Sequence, residues 1–204
     1  MSYGYMDEWK FVKAIDKTDN LSDFSLNNDI AIISHSLEFK GTNGEINLMI
    51  NDTASRNSGT GYMWVYTSSL PPSGDSFRVG PCARILEDAS YYGYGIATVL
   101  LRENSGMTFQ LISLNSDSTS VTVDDSDSTI TLADNEWYLI EMNFSESAPN
   151  VTFTCKIYDT YMGSQIGSTL TNTYNDTATR GSMFGAFFQR TDVPCYAEKI
   201  SLLW

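Results

Sequence analysis

The chain has 204 residues, 42% of them hydrophobic and 18% charged, and a formal net charge of −13. That length supports one large domain with a real core. The negative charge repels phosphate backbones and anionic lipid, which excludes nucleic acid as an expected partner. No stretch reaches the length of a membrane helix, so membrane insertion is not expected either.

Residues 2–26 open the chain with an undecided pattern. "DEWKFVKAIDKTDNLSDF" fits a short helix or an extended arm, because neither the helical nor the strand period dominates. "DIAIISHSLEFKG" then reads as one or two strands. Asn43-Gly44 forms a hairpin turn, since both residues tolerate positive φ. "EINLMIN" returns with Ile46, Leu48 and Ile50 on one face. "GYMWVYTSS" is the next strand, and "PPSGD" breaks the chain after it. "SFRVGPCARIL" is a strand in which Pro81 implies a bulge or an edge position. A tyrosine-rich loop, "EDASYYGYG", leads into "IATVLLREN", and Ser105-Gly106 turns it back as "MTFQLISLN".

"TSVTVDD" and "STITLAD" are short β pieces. "NEWYLIEMNF" alternates, with Tyr138, Ile140, Met142 and Phe144 on one face and Trp137, Leu139, Glu141 and Asn143 on the other. "VTFTCKIYD" alternates as cleanly, while "TLTNTYNDTATRGS" reads mostly as loop. "MFGAFFQR" and "YAEKISLLW" close the chain. Many short strands joined by Gly, Asn, Ser and Pro turns predict an all-β, two-sheet antiparallel sandwich. A single domain over residues 1–204 is expected, with 1–26 as its N-terminal arm or short helix.

The order of these pieces resembles the concanavalin A-like (laminin-G-like) lectin and glucanase superfamily. "SHSLEFKGTNGEINL" resembles its first strand pair, "LADNEWYLIEMNF" its tryptophan-led strand, "GSMFGAFFQR" a late glycine-containing strand, and "CYAEKISLLW" the closing strand. The resemblance implies a jelly roll of two curved antiparallel sheets, with Trp137 packed as a plug at the rim of the sandwich. The superfamily holds lectins, polysaccharide-cleaving enzymes and structural modules, so the fold alone selects no function.

Catalytic signatures are weak. A hydrolase of this fold resembles a strand carrying carboxylates in an E-x-D-x-x-E spacing, and no such string occurs. His35 is the only histidine and has no nucleophile motif to serve. No catalytic residue and no dedicated metal site is therefore expected. Asp125, Asp127, Thr129 and Glu136 fall at EF-hand offsets, but Ile130 stands where that loop requires glycine; Asp124, Asp125 and Asp127 could still hold calcium loosely, with a solvated turn as the alternative.

Aromatics supply the binding candidates. Tyr62, Trp64 and Tyr66 share one face of their strand, either stacking on sugar rings or filling one side of the core. Tyr91, Tyr92 and Tyr94 lie in a loop and are expected to sit exposed as an interface. Three cysteines, Cys82, Cys155 and Cys195, leave at least one thiol unpaired and suit a reducing cytosol. A neutral polar, sheet-rich surface without a secretion signal fits a viral or phage protein made in the host cytosol. The first expectation is thus a non-enzymatic virion-surface protein of capsid-decoration or tail/fibre type. Its partners would be other virion proteins or its own copies, with host glycans as a further contact. The alternative is a free-standing, extracellular carbohydrate-binding module or lectin. A glycoside hydrolase or polysaccharide lyase ranks third.

Overall fold

The computed structural model describes residues 9–13, 24–28, 35–39, 44–51, 57–69, 71–87, 92–115, 120–159, 163–175, 181–191, 193 and 195–203. Fifteen strands and no helix occur among them. They are β1 (Trp9–Lys13), β2 (Phe24–Asn28), β3 (His35–Phe39), β4 (Ile46–Asn51), β5 (Gly59–Tyr66), β6 (Ser76–Glu87), β7 (Tyr92–Gly93) and β8 (Ile96–Glu103). The second half adds β9 (Gly106–Leu114), β10 (Val121–Asp127), β11 (Trp137–Ser147), β12 (Asn150–Tyr158), β13 (Gln165–Asn175), β14 (Met183–Thr191) and β15 (Cys195–Leu203).

Two antiparallel sheets face each other. Sheet A runs β1-β4-β14-β6-β8-β9-β10, with the short β7 pairing β6, and sheet B runs β13-β12-β11-β5-β15-β3-β2. This is the predicted jelly-roll sandwich. The undecided N-terminal pattern contributes β1 to the edge of sheet A and β2 to the edge of sheet B.

The inner faces interleave into one core. Sheet B supplies Met63, Val65, Ile140, Met142, Phe144, Phe153, Cys155 and Ile157, and sheet A supplies Phe77, Val79, Phe109, Leu111, Phe184 and Phe188. The alternation predicted for "NEWYLIEMNF" and "VTFTCKIYD" is the one observed: the inward set is buried, and the outward Glu141, Asn143, Thr152, Thr154 and Lys156 meet solvent.

Sheet A departs from simple alternation. Its outer face carries a second buried apolar layer of Ile46, Leu48, Ile50, Cys82, Ile85, Ala97, Val99, Ile112, Leu114, Met183 and Phe187. Ile46, Leu48 and Ile50 therefore share a face as expected, but it is the outer one; Asn47, Met49 and Asn51 point inward. Strands buried on both sides lose the period-two signature.

One local expectation is narrowed and two are corrected. Of a bulge or an edge, Pro81 marks a local irregularity and not an edge, since β6 lies mid-sheet between β14 and β8. The β6–β8 register has no partners at Gly80 and Pro81, and a Cβ on Gly80 would collide with the Thr98 carbonyl. "STITLAD" forms no strand, because Asp127 Oδ1 accepts from both the Thr129 N–H (2.8 Å) and its hydroxyl (2.7 Å), turning the chain off β10. "TLTNT", read as loop, belongs to β13; it is an edge strand of threonines and asparagines in which Leu170 alone is buried.

Candidate functional site

The aromatic candidates of β5 lie outside the core. Met63 and Val65 are fully buried, while Tyr62, Trp64 and Tyr66 are half-buried on the outer face of sheet B. Neighbouring strands extend this face. Trp137 stands directly opposite Tyr66, with ring centroids 5.2 Å apart and planes tilted by 49°. Tyr66 also meets Tyr196 of β15 edge-on at 5.8 Å. Leu139 lies opposite Trp64 on one side and Tyr158 on the other, and is 2% exposed.

Thr67 sets the position of Trp137. Its hydroxyl donates to the Ala133 carbonyl (2.6 Å), and its backbone N–H donates to the Glu136 carbonyl (2.9 Å). These bonds hold the turn over residues 133–136 against the end of β5, so β11 begins in register with Tyr66. The rim-plug reading of Trp137 is thereby corrected. It packs beside Tyr66 in a half-buried aromatic strip on the sheet's outer surface.

Carboxylates hold the phenols of the strip. The Tyr196 hydroxyl donates to Glu38 Oε1 (3.1 Å), and the Tyr158 hydroxyl donates to Glu141 Oε2 (3.4 Å). Burial, then Glu38, pushes the Tyr196 phenol up to about 12. Burial and Glu141 raise Tyr158 in the same way.

The tyrosine loop is built differently. Tyr92 lies in β7, its backbone paired with Glu87 at the end of β6. Tyr94 follows in a left-handed conformation (φ 54°) and is half-buried rather than exposed. Tyr91, and the side chains of Tyr92 and His35, lie outside the described residues.

The acidic run of β10 works as a staple between sheet edges. Asp127 Oδ2 accepts from the Ser168 N–H (2.6 Å), Asp125 Oδ2 from the Thr171 N–H (2.9 Å), and Asp124 Oδ2 from the Tyr174 hydroxyl (2.7 Å). All three donors belong to β13, so β10 of sheet A is tied to the edge of sheet B. Hydrogen bonds from Thr129 and Ser168 pull the Asp127 carboxyl down to about 2. The carboxylates considered for calcium thus accept N–H and O–H donors, and no group of three metal-ligating side chains occurs among the described residues.

Sequence reading missed one polar cluster. Arg78 lies on the outer face of β6, where its Nε donates to Gln110 Oε1 (3.2 Å) and its Nη1 to Gln189 Oε1 (2.9 Å). Gln189 Nε2 in turn donates to the Gly44 carbonyl (3.1 Å). The contrast with two other arginines is sharp. Arg84 pairs with Glu146 at 3.0 Å and Arg102 with Asp134, whereas no carboxylate lies within ion-pair distance of Arg78 among the described residues. Burial lowers the Arg78 pKa, against the opposing pull of Glu103. Two of its five N–H groups are used, leaving three donors. The only sequence clue was polar residues at outward positions of strands otherwise apolar on both faces.

The three cysteines are buried free thiols. Cys82 lies in the outer layer of sheet A and Cys195 in the core, so they do not pair. Burial raises all three, Cys155 to about 12.

No protein-family model matches the sequence, and no curated protein matches it. Solved structures do. An alginate lyase from Chlorella virus is similar over 97% of this chain and 93% of its own, with a TM-score of 0.55 and 10% identity. The two share a two-sheet antiparallel jelly-roll sandwich. A Bacillus subtilis protein with a galectin-like fold is similar over 97% of this chain and 90% of its own (TM-score 0.47, 10% identity). Peanut lectin is similar over 97% and 99% (TM-score 0.43, 9% identity). The expectation of a non-enzymatic protein is corrected by the first of these: the viral structure that shares the sandwich is an enzyme, so this architecture accommodates catalysis.

Proposed function

We propose that this protein binds an acidic polysaccharide on the outer face of sheet A, with Arg78 reading a sugar carboxylate and Gln110 and Gln189 positioning the guanidinium. The observation that carries this reading is a half-buried arginine without a carboxylate partner among the described residues of a chain of net charge −13. A half-buried guanidinium costs solvation, and neutral amides recover only part of it. A planar fork with unused N–H groups is the side chain best matched to a carboxylate. The sandwich shared with a viral alginate lyase supports the same reading, because alginate is a chain of uronate sugars, each carrying one carboxylate. The setting we propose is a virus particle surface. Its support is the set of buried free thiols, which suits synthesis in a reducing cytosol, and the neutral polar edge strand β13.

The test is calorimetric titration with alginate hexasaccharide against neutral cellohexaose. Arg78→Gln should weaken alginate binding by about tenfold or more, the loss expected for a charge-assisted bidentate contact. Equal binding by the variant would overturn the proposal. Cleavage is followed in the same samples by the absorbance of unsaturated uronate ends. Their appearance makes the protein a lyase, and binding without them makes it a lectin.

A further inference from the structure

β13 is the outermost strand of sheet B, with β12 on one side and no strand of its own sheet on the other among the described residues. Its register with β12 is regular from Leu170 to Asn175. Such an edge offers a second strand a row of backbone donors and acceptors, and proteins blunt it with charged side chains or proline. β13 has neither: "QIGSTLTNTYN" contains no charged residue and no proline. Its outward donors are occupied by side chains instead. The Ser168 N–H donates to Asp127 Oδ2 (2.6 Å), the Thr171 N–H to Asp125 Oδ2 (2.9 Å) and the Thr173 N–H to Asn172 Oδ1 (2.8 Å). Two of the three acceptors come from β10, the edge strand of the opposite sheet.

We infer that Asp125, Asp127 and Asn172 form an autoinhibitory cap, which keeps β13 from pairing with β13 of a second copy of this chain. Geometry points to a second copy as the partner. Thr171 and Thr173 lie two apart, so their N–H groups point to the same side, away from β12. Antiparallel pairing about a two-fold axis at Asn172 sets Thr171 opposite Thr173 of the other copy, and such a pair exchanges two backbone bonds. The capped donors are thus the ones that symmetric pairing needs. Charge points the same way. A net charge of −13 opposes most contacts between copies, yet β13 against itself sets threonine opposite threonine and no like charges. With the cap in place, an approaching copy meets donors already in use and two carboxylates. The contact involves neither Arg78 nor the aromatic strip, so it stands apart from the ligand proposed on sheet A.

Sedimentation velocity over a concentration series tests the cap. The double variant Asp125→Ala/Asn172→Ala frees the Thr171 and Thr173 donors and leaves Asp127 holding the turn at Thr129. It should dimerise at least about tenfold more tightly than the wild type, since each freed donor gains a partner across the new ladder. Asp125→Asn/Asn172→Asp keeps an acceptor at both positions and should sediment as the wild type does. Adding Thr173→Pro to the alanine variant removes an outward donor without touching the ladder to β12, and should abolish the new dimer. Near-ultraviolet circular dichroism checks that each variant is folded. Should the alanine pair lose that spectrum, Asn172→Ala alone, at a half-buried position, frees Thr173 and is read in the same way. Folded alanine variants that associate no more than the wild type overturn the inference. So does a dimer that survives Thr173→Pro, because the contact then lies elsewhere, or one formed equally by the acceptor-keeping variant.

Discussion

The two outer faces of this sandwich solve different problems. On sheet A the outer face carries a buried apolar layer, with Leu48, Ile50, Val99 and Phe187 fully buried, and the Arg78–Gln110–Gln189 cluster on the same face, where Arg78 and Gln189 stay half-exposed. On sheet B the outer face is aromatic and half-open, with carboxylates fixing its phenols. One sheet therefore contributes to two apolar layers and the other to one. Charge is handled differently too. Sheet A carries a guanidinium with amide partners, whereas sheet B carries carboxylates with hydroxyl partners.

The largest expected effects test whether the outer layer of sheet A is a true core. Phe187→Ala should cost about 4 kcal/mol in denaturant unfolding, close to the cost of Phe153→Ala in the central core. Tyr62→Ala, on the half-open face, should cost about 1 kcal/mol or less. A Phe187 loss as small as the Tyr62 loss would break the comparison. Gly80→Ala should cost about 3 kcal/mol, because the added methyl runs into the Thr98 carbonyl and pushes β8 from β6.

The same contrast explains what the sequence made legible. β11 and β12 alternate because one face is core and the other meets solvent, so their inward residues can be read at period two. β4 and β8 are buried on both faces, and an unbroken apolar run such as "IATVLL" carries no facing information. β13 carries a weak strand signal because one leucine supplies its burial, while its order comes from pairing with β12 and from bonds to Asp125 and Asp127 on a distant strand. The aromatic face of β5 was visible as a face, yet not as an outer one. Core and outer surface share the same residue types, and only the burial of Met63 and Val65 against the half-exposed Tyr62, Trp64 and Tyr66 decides between them. The Arg78 cluster joins β6, β9 and β14, so no local window contains it.

Intermediate effects concern the β10–β13 staple that joins the sheets. Asp127→Asn should cost about 2 kcal/mol, since it weakens charge-assisted bonds to the Ser168 and Thr129 N–H groups. The wild-type carboxyl is depressed to about 2, below its ordinary value near 3.8. Its stabilisation is therefore complete above pH 4, shrinks as pH falls from about 4 towards 2, and is gone below that. Urea unfolding between pH 5 and pH 2 should show this loss in the wild type and a flatter profile in the variant. Equal slopes would mean that another carboxylate governs acid unfolding.

The smallest effect lies on sheet B and probes its open face at the other end of the pH scale. Tyr196→Phe removes the hydroxyl bound to Glu38 and keeps the ring against Tyr66. The phenol is partly solvated and so is its carboxylate, so the net loss at neutral pH should stay within about 1 kcal/mol. The signature is alkaline. The folded phenol holds its proton to about 12, while the unfolded one releases it near 10. Its contribution is fully present below pH 10 and lost as pH rises through 12. Wild-type stability should therefore fall across that window more steeply than that of Tyr196→Phe. A matching fall in both proteins would mean that neither burial nor Glu38 perturbs the phenol, and the carboxylate-fixed rim of the aromatic strip would lose one of its two supports.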